Sequence, residues 1–102
     1  YPPVENLMAV LAVCEDEVLL EKACKYLKEY ILRIKGQAQL DVIGPASPGV
    51  DKIKDIYRRV IYVKAPEYRT LVVLKDRMEQ YIEINSGFQK MRIQFDFNPM
   101  NL

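Results

Sequence analysis

The sequence contains no histidine, no tryptophan and only two cysteines among its 102 residues, and these absences remove several chemistries together. Without histidine there is no imidazole general base and no His-Glu-x-x-His zinc site, and two thiols alone do not make a four-ligand zinc cage. Cys14 and Cys24 lack Cys-x-x-Cys spacing and are expected to be buried, reduced thiols that pack as small apolar residues. No apolar run approaches the roughly 18–20 residues that cross a bilayer, so no membrane partner is expected. The start, Tyr1-Pro2-Pro3, has neither an initiator Met nor a basic segment ahead of an apolar one, and a fragment of a longer protein is expected. Glycine (4) and proline (6) are few and scattered, while 50% of the residues are apolar. Disorder and collagen-like repeats are therefore excluded, and the length suits one domain spanning residues 1–102.

Charge of either sign is nearly balanced, with 15 Lys/Arg against 14 Asp/Glu, so the total by itself predicts no polyanion partner. The sum hides a split. Residues 1–49 hold five basic and seven acidic residues, whereas residues 50–102 hold ten and seven.

The apolar pattern divides the chain. Leu7 to Cys14 is an unbroken apolar run of strand length with both faces apolar, the pattern of a central strand. From Asp16 the period changes to helical, through Leu20, Ala23, Cys24, Leu27, Tyr30, Ile31 and Ile34, with Gly36 after the last turn. Leu40 to Ile43 reads as a short strand, stopped by Gly44-Pro45-Ala46-Ser47-Pro48-Gly49. A helical turn is expected over residues 50–56, and Tyr57 to Lys64 is β-branched and aromatic strand material. Pro66 opens a second helix with an apolar stripe at Leu71, Leu74, Met78, Tyr81 and Ile82, ended by Asn85-Ser86-Gly87. Met91, Ile93, Phe95 and Phe97 then alternate with Arg92, Gln94 and Asp96 in a last strand.

This order, β-α-β-β-α-β, is that of an α+β, ferredoxin-like fold: two helices on one face of a four-stranded antiparallel sheet. The other face stays open. If Ile61 and Val63 point to the helices, Arg58, Val60, Tyr62 and Lys64 point away, as do Arg92 and Gln94. One side of the first strand, either Met8, Val10, Ala12 and Cys14 or the alternate set, must also lie on that face, and an exposed apolar strip usually has something to cover it.

Few motifs carry chemistry. Gly44-x-x-x-x-Gly49 has the glycine spacing of a phosphate-binding loop, but Val50 and Asp51 stand where Lys and Ser/Thr are needed. Glu15-Asp16-Glu17 puts carboxylates after the first strand, which disfavours an anionic small-molecule site there. The basic segment Lys52, Lys54, Arg58, Arg59, Lys64 and Arg69 is interleaved with Tyr57, Tyr62 and Tyr68, and this mixture suits phosphate contact with base stacking. Taken alone, such a segment more often serves as solvated, edge-protecting charge. An RNA-recognition platform of this topology wants exposed aromatics on both central strands, and the first strand has none.

Four separated motifs resemble one family. Tyr1-Pro2-Pro3, Ile43-Gly44-Pro45-Ala46 with Pro48, Tyr57-Arg58 leading to Ile61-Tyr62-Val63-Lys64, and Asp96-Phe97-Asn98-Pro99 are similar, in order and spacing, to the C-terminal domain of primosomal protein N′, the bacterial replication-restart helicase family PriA. Arg59 stands where that family has an aromatic residue, and Asn98 where it has an aspartate. The resemblance implies a terminal module of a cytoplasmic, ATP-dependent 3′-to-5′ DNA helicase whose ATP, Mg²⁺ and zinc sites lie in other domains, with no cofactor in this segment. It also implies contact with forked or single-stranded DNA, packing on the helicase core of the same chain, and a link to single-stranded DNA-binding protein. On that basis Lys52, Lys54, Arg58, Arg59 and Lys64 are the expected phosphate contacts, with Tyr57 and Tyr62 as stacking partners. The rival expectation is a purely structural module whose basic strand meets acidic surfaces of the parent or an acidic partner tail, since Arg answers to carboxylate and phosphate alike.

Because the Lys and Ser/Thr of a nucleotide loop are absent, the purified chain is expected to turn over no ATP with or without DNA. A phosphate-release assay checks this, and turnover that survives a contaminant control overturns it.

Overall fold

The computed structural model describes residues 5–49 and 52–99. Tyr1-Pro2-Pro3 and the Val50-Asp51 step lie outside the described residues. Strand β1 (Asn6–Cys14) leads to helix α1 (Glu17–Lys35), then β2 (Asp41–Ala46), β3 (Lys52–Ile53), β4 (Ile56–Ala65), helix α2 (Tyr68–Ile84), a single 3-10 turn at Ser86–Phe88, and β5 (Met91–Phe97).

The sheet order is β2-β4-β1-β5, all antiparallel, with the short β3 paired to β4. β1 and β4 are central, as a doubly apolar first strand requires. The core forms between the sheet and both helices: Met8, Val10, Ala12 and Cys14 of β1 and Ile61, Val63 and Ala65 of β4 pack under Leu20, Leu27, Ile31, Leu71 and Met78. The helices lock to each other through Tyr30 and Tyr81, whose rings stack with centroids 4.1 Å apart, and Phe88 of the 3-10 turn meets the Tyr81 ring edge-on. α1 starts where the Asp16 carboxylate accepts a hydrogen bond from the Leu19 N–H at 3.1 Å, and it ends at Gly36 with φ 56°.

Two expectations change. Over its described part, residues 52–56, the helical turn expected at 50–56 is instead a β-hairpin. Lys54 (φ 51°) and Asp55 (φ 64°) are both left-handed, the pair of conformations that a two-residue turn needs to match strand twist. The strand that Gly44 was expected to stop runs on to Ala46, but its register against β4 shifts between Ile43 and Ala46. Proline is tolerated there because β2 is an edge strand and needs no donor on its outer side. The Lys28 ammonium donates to the Gly44 carbonyl at 2.6 Å, tying α1 to this irregular edge.

At the far end of β1, Asn98 (φ 48°) closes the sheet. Its N–H donates to the Leu7 carbonyl at 2.6 Å, and its side-chain oxygen accepts from the Leu7 N–H at 2.9 Å.

Gly44 has φ 102°, and a Cβ there would lie 2.8 Å from the Val60 carbonyl oxygen. Gly44→Ala is therefore expected to lower stability by roughly 1–3 kcal/mol through backbone strain and displacement of β2 from β4. Urea unfolding checks this, and an unchanged midpoint at an unchanged slope contradicts it.

Candidate nucleic-acid interface

The pairing register arranges the open face in rows. Val13 of β1 lies between Arg58 of β4 and Arg92 of β5, and Leu11 lies between Val60 and Gln94. Ala9 lies between Tyr62 and Asp96, with Ile43 of β2 beyond Tyr62, and Leu7 faces Lys64, with Asp41 beyond. An apolar spine of Leu7, Ala9, Leu11, Val13 and Val60 thus runs between charged margins. Arg58 and Arg92 stand two strand spacings apart, roughly 10 Å, at the end nearer the hairpin. The opposite end mixes Lys64 with Asp41 and Asp96.

The expected contacts separate on this frame. Arg58, Tyr62 and Lys64 share the open face. Lys52 and Lys54 sit on the exposed β3–β4 hairpin. The Lys52 ammonium lies 3.4 Å from Asp55 and 5.2 Å from the centre of the Tyr57 ring, and these neighbours, Tyr57 first, raise its pKa. Tyr57 itself is half-buried against the core on the helix side, so it does not share a stacking surface with Tyr62.

Arg59 is a correction. Ala12, which faces the helices, pairs with Arg59, and Arg59 is only 7% exposed. Its Nε donates to Glu21 at 2.6 Å and its Nη2 to Glu17 at 2.8 Å. Burial opposes the charge, but the hydrogen bonds to Glu21 and Glu17 prevail and raise its pKa. The side chain clamps the first two turns of α1 to β4 and faces the helices rather than the open face that carries Arg58, Tyr62 and Lys64. Sequence reasoning missed the two glutamates and counted Arg59 by charge density alone. The signal was there: the alternation that turns Ile61 and Val63 inwards turns Arg59 inwards as well.

Burial pushes the Cys24 thiol up to about 11, so it stays protonated. The Cys14 sulfur accepts from the Asp16 N–H at 3.5 Å and lies 3.6 Å from the Lys90 carbonyl. Among the described residues no three His, Cys, Asp or Glu side chains group to hold a metal, and no helix is long and apolar enough to cross a membrane. A groove of about 810 Å³ at the hairpin end is bordered by Glu15, Asp16, Lys90 and Arg92. Its helix N-terminus is already capped by Asp16, which leaves little for an incoming anion.

Against known proteins, the family model described as the primosomal protein N C-terminal domain matches residues 1–100. No curated protein sequence matches. Among solved structures, the de novo designed protein Foldit4 is similar with a TM-score of 0.67 at 12% identity, covering 94% of this chain and 98% of its own. A dimeric ferredoxin-like protein from an uncultured marine organism is similar with a TM-score of 0.63 at 8% identity, covering 96% of each chain. At such identities the structural likeness speaks for the ferredoxin-like fold alone.

Removing the clamp tests its role. Arg59→Ala is expected to cost roughly 1–3 kcal/mol, from the lost packing of the buried stem together with two charge-assisted hydrogen bonds. Thermal or urea unfolding measures it. A loss of DNA binding with no loss of stability would return Arg59 to the interface.

Proposed function

The chain belongs to the primosomal protein N C-terminal domain family, and from that premise we propose that it is the accessory module of a replication-restart helicase that contacts the DNA backbone and docks on the helicase core. Family membership supports the restart role. The finer reading rests on one observation: the open sheet face sets Arg58, Tyr62 and Lys64 on one central strand, with Lys54 at the tip of the adjoining hairpin and Lys52, paired with Tyr57, on that hairpin's other side. Backbone phosphates answer to such a line of cations without any base readout. Tyr62, half-buried with one side to solvent, offers a stacking surface at its centre. Forked or single-stranded DNA is the proposed ligand. The module itself carries no catalysis, and ATP, Mg²⁺ and zinc belong to other parts of the parent protein.

The apolar spine favours a second use of the same face. Leu7, Leu11 and Val13 are only partly covered, and a neighbouring surface of the parent helicase would remove them from water. In that reading the cations at the margin meet acidic groups of the parent or the acidic tail of single-stranded DNA-binding protein.

Fluorescence-anisotropy titration with single-stranded and forked DNA at several salt concentrations separates the two. If roughly four phosphates are neutralised, the log-log salt slope on single strands should be near −3. The double variant Arg58→Ala/Lys64→Ala should bind all sequences more weakly and flatten that slope by about 1.4. Unchanged affinity and slope in the folded double variant would leave only the protein-docking reading.

A further inference from the structure

The two edges of the sheet differ in a way that neither DNA contact nor docking of the open face explains. Edge strands offer unpaired N–H and C=O groups, and proteins usually blunt them with proline, bulges or very short strands. β2 is blunted: Gly44 and Pro45 interrupt it, its register shifts, and Lys28 occupies the Gly44 carbonyl. β5 has none of these devices. It runs seven residues, Met91–Phe97, without proline, glycine or register shift, and among the described residues it is the last strand of the sheet on its side.

The direction of its outer hydrogen-bonding groups follows from Asn98. The Asn98 N–H donates to the Leu7 carbonyl, so Leu7 and Asn98 form a hydrogen-bonded pair. Alternation along an antiparallel ladder then turns the N–H and C=O of Arg92, Gln94 and Asp96 towards β1. Those of Met91, Ile93, Phe95 and Phe97 point outwards. The side chains of these four residues are half-buried on the helix side, flanked by Lys75, 5.9 Å from the Phe95 ring centre, and by Tyr68, whose ring lies 5.2 Å from that of Phe97. A groove of about 460 Å³ bordered by Lys75, Glu79, Phe95 and Asp96 runs along this edge.

We propose that β5 pairs antiparallel with β5 of a second copy of this chain, about a two-fold axis through Gln94, to make one continuous sheet. The register is self-complementary. With Gln94 facing Gln94, each Arg92 faces the second copy's Asp96 and each Asp96 the second copy's Arg92. These are non-hydrogen-bonded pairs, in which the backbones approach to about 4.5 Å and the side chains interact most closely. Ile93 faces Phe95 and Met91 faces Phe97 in the hydrogen-bonded pairs, the positions whose N–H and C=O groups point outwards. The pairing therefore satisfies the free backbone groups, matches charge on the open face, and covers half-buried apolar side chains on the other. A symmetric, isologous contact of this kind closes at two copies. It uses the backbone of β5, so it stands or falls separately from DNA contact on β4.

Arg92 and Asp96 are exposed, so the test leaves the fold intact. Sedimentation velocity of the purified chain across a concentration series is expected to show a monomer–dimer equilibrium. Arg92→Asp and Asp96→Arg each place like charges opposite one another twice, and each should weaken dimerisation at least about tenfold. Mixing the two variants should restore dimers, because every pair is again of opposite sign. Amide hydrogen exchange at Ile93 and Phe95 should slow as concentration rises. The proposal is overturned by a chain that stays monomeric throughout, by dimers that both single variants leave unchanged, or by dimers without added protection at Ile93 and Phe95.

Discussion

The organisation of the molecule depends on β1 being apolar on both sides while helices can cover only one. A strand hydrogen-bonded to neighbours on both edges has no exposed backbone, so its position is decided by its side chains. Met8, Val10, Ala12 and Cys14 take the covered side and are all buried, and Leu7, Ala9, Leu11 and Val13 are left partly covered on the other. Because β4 and β5 pair with β1 without a register break, this choice propagates to both neighbours. It places Arg58, Tyr62 and Lys64 together, and it aligns Arg58 with Arg92 across Val13. The face that supports the functional reading is a consequence of how the core is filled.

Arg59 shows the same rule at its limit. It occupies a core-facing position next to Ala12, where the small side chain leaves room for a long stem, and its charge survives burial because Glu17 and Glu21 on α1 reach it from above. Both glutamates remain about half exposed, so the carboxylates keep part of their hydration while the guanidinium gives up nearly all of its own. Such a pair contributes less net stability than its short distances suggest, and more to fixing the position of α1 over the sheet. The covered face is thereby sealed at the end where β1 passes into α1, while Arg58 and Lys64 of β4 stand on the opposite, open face.

Legibility in the sequence followed the range of the signal. β1, both helices and β5 were readable because period and caps agree over many residues: the helical spacing from Leu20 to Ile34, the strict alternation from Met91 to Phe97. The hairpin was not, because Lys54-Asp55 lacks the glycine or asparagine that usually announces two left-handed residues. The end of β2 was misjudged because a Gly-Pro step reads as a stop, and only knowledge of which strand lies at the edge makes it permissible. Of the candidate contacts, Arg58, Tyr62 and Lys64 fall on the face that alternation assigns them. Tyr57 and Arg59 fall on the helix side, where the same alternation assigns them, and they were counted as contacts only because a tally of charges and rings within a window takes no account of the period of two.

The unequal edges sharpen what the open face can do. On the β2 side, the bulge at Gly44-Pro45 and the projecting hairpin end the sheet, and the cations of β4 and the hairpin lie next to that finished edge. On the β5 side, among the described residues, the sheet ends without such a device, and Arg92 and Asp96 continue the polar margin of the same face. In the proposed reading, a ligand along β4 would lie on the track between the interrupted edge and the apolar spine of β1. Anything added at β5 extends the face without crossing that track. The proposed binding along β4 and the proposed pairing at β5 are compatible in one molecule, because the spine of β1 separates the two surfaces while its register holds them in a single sheet.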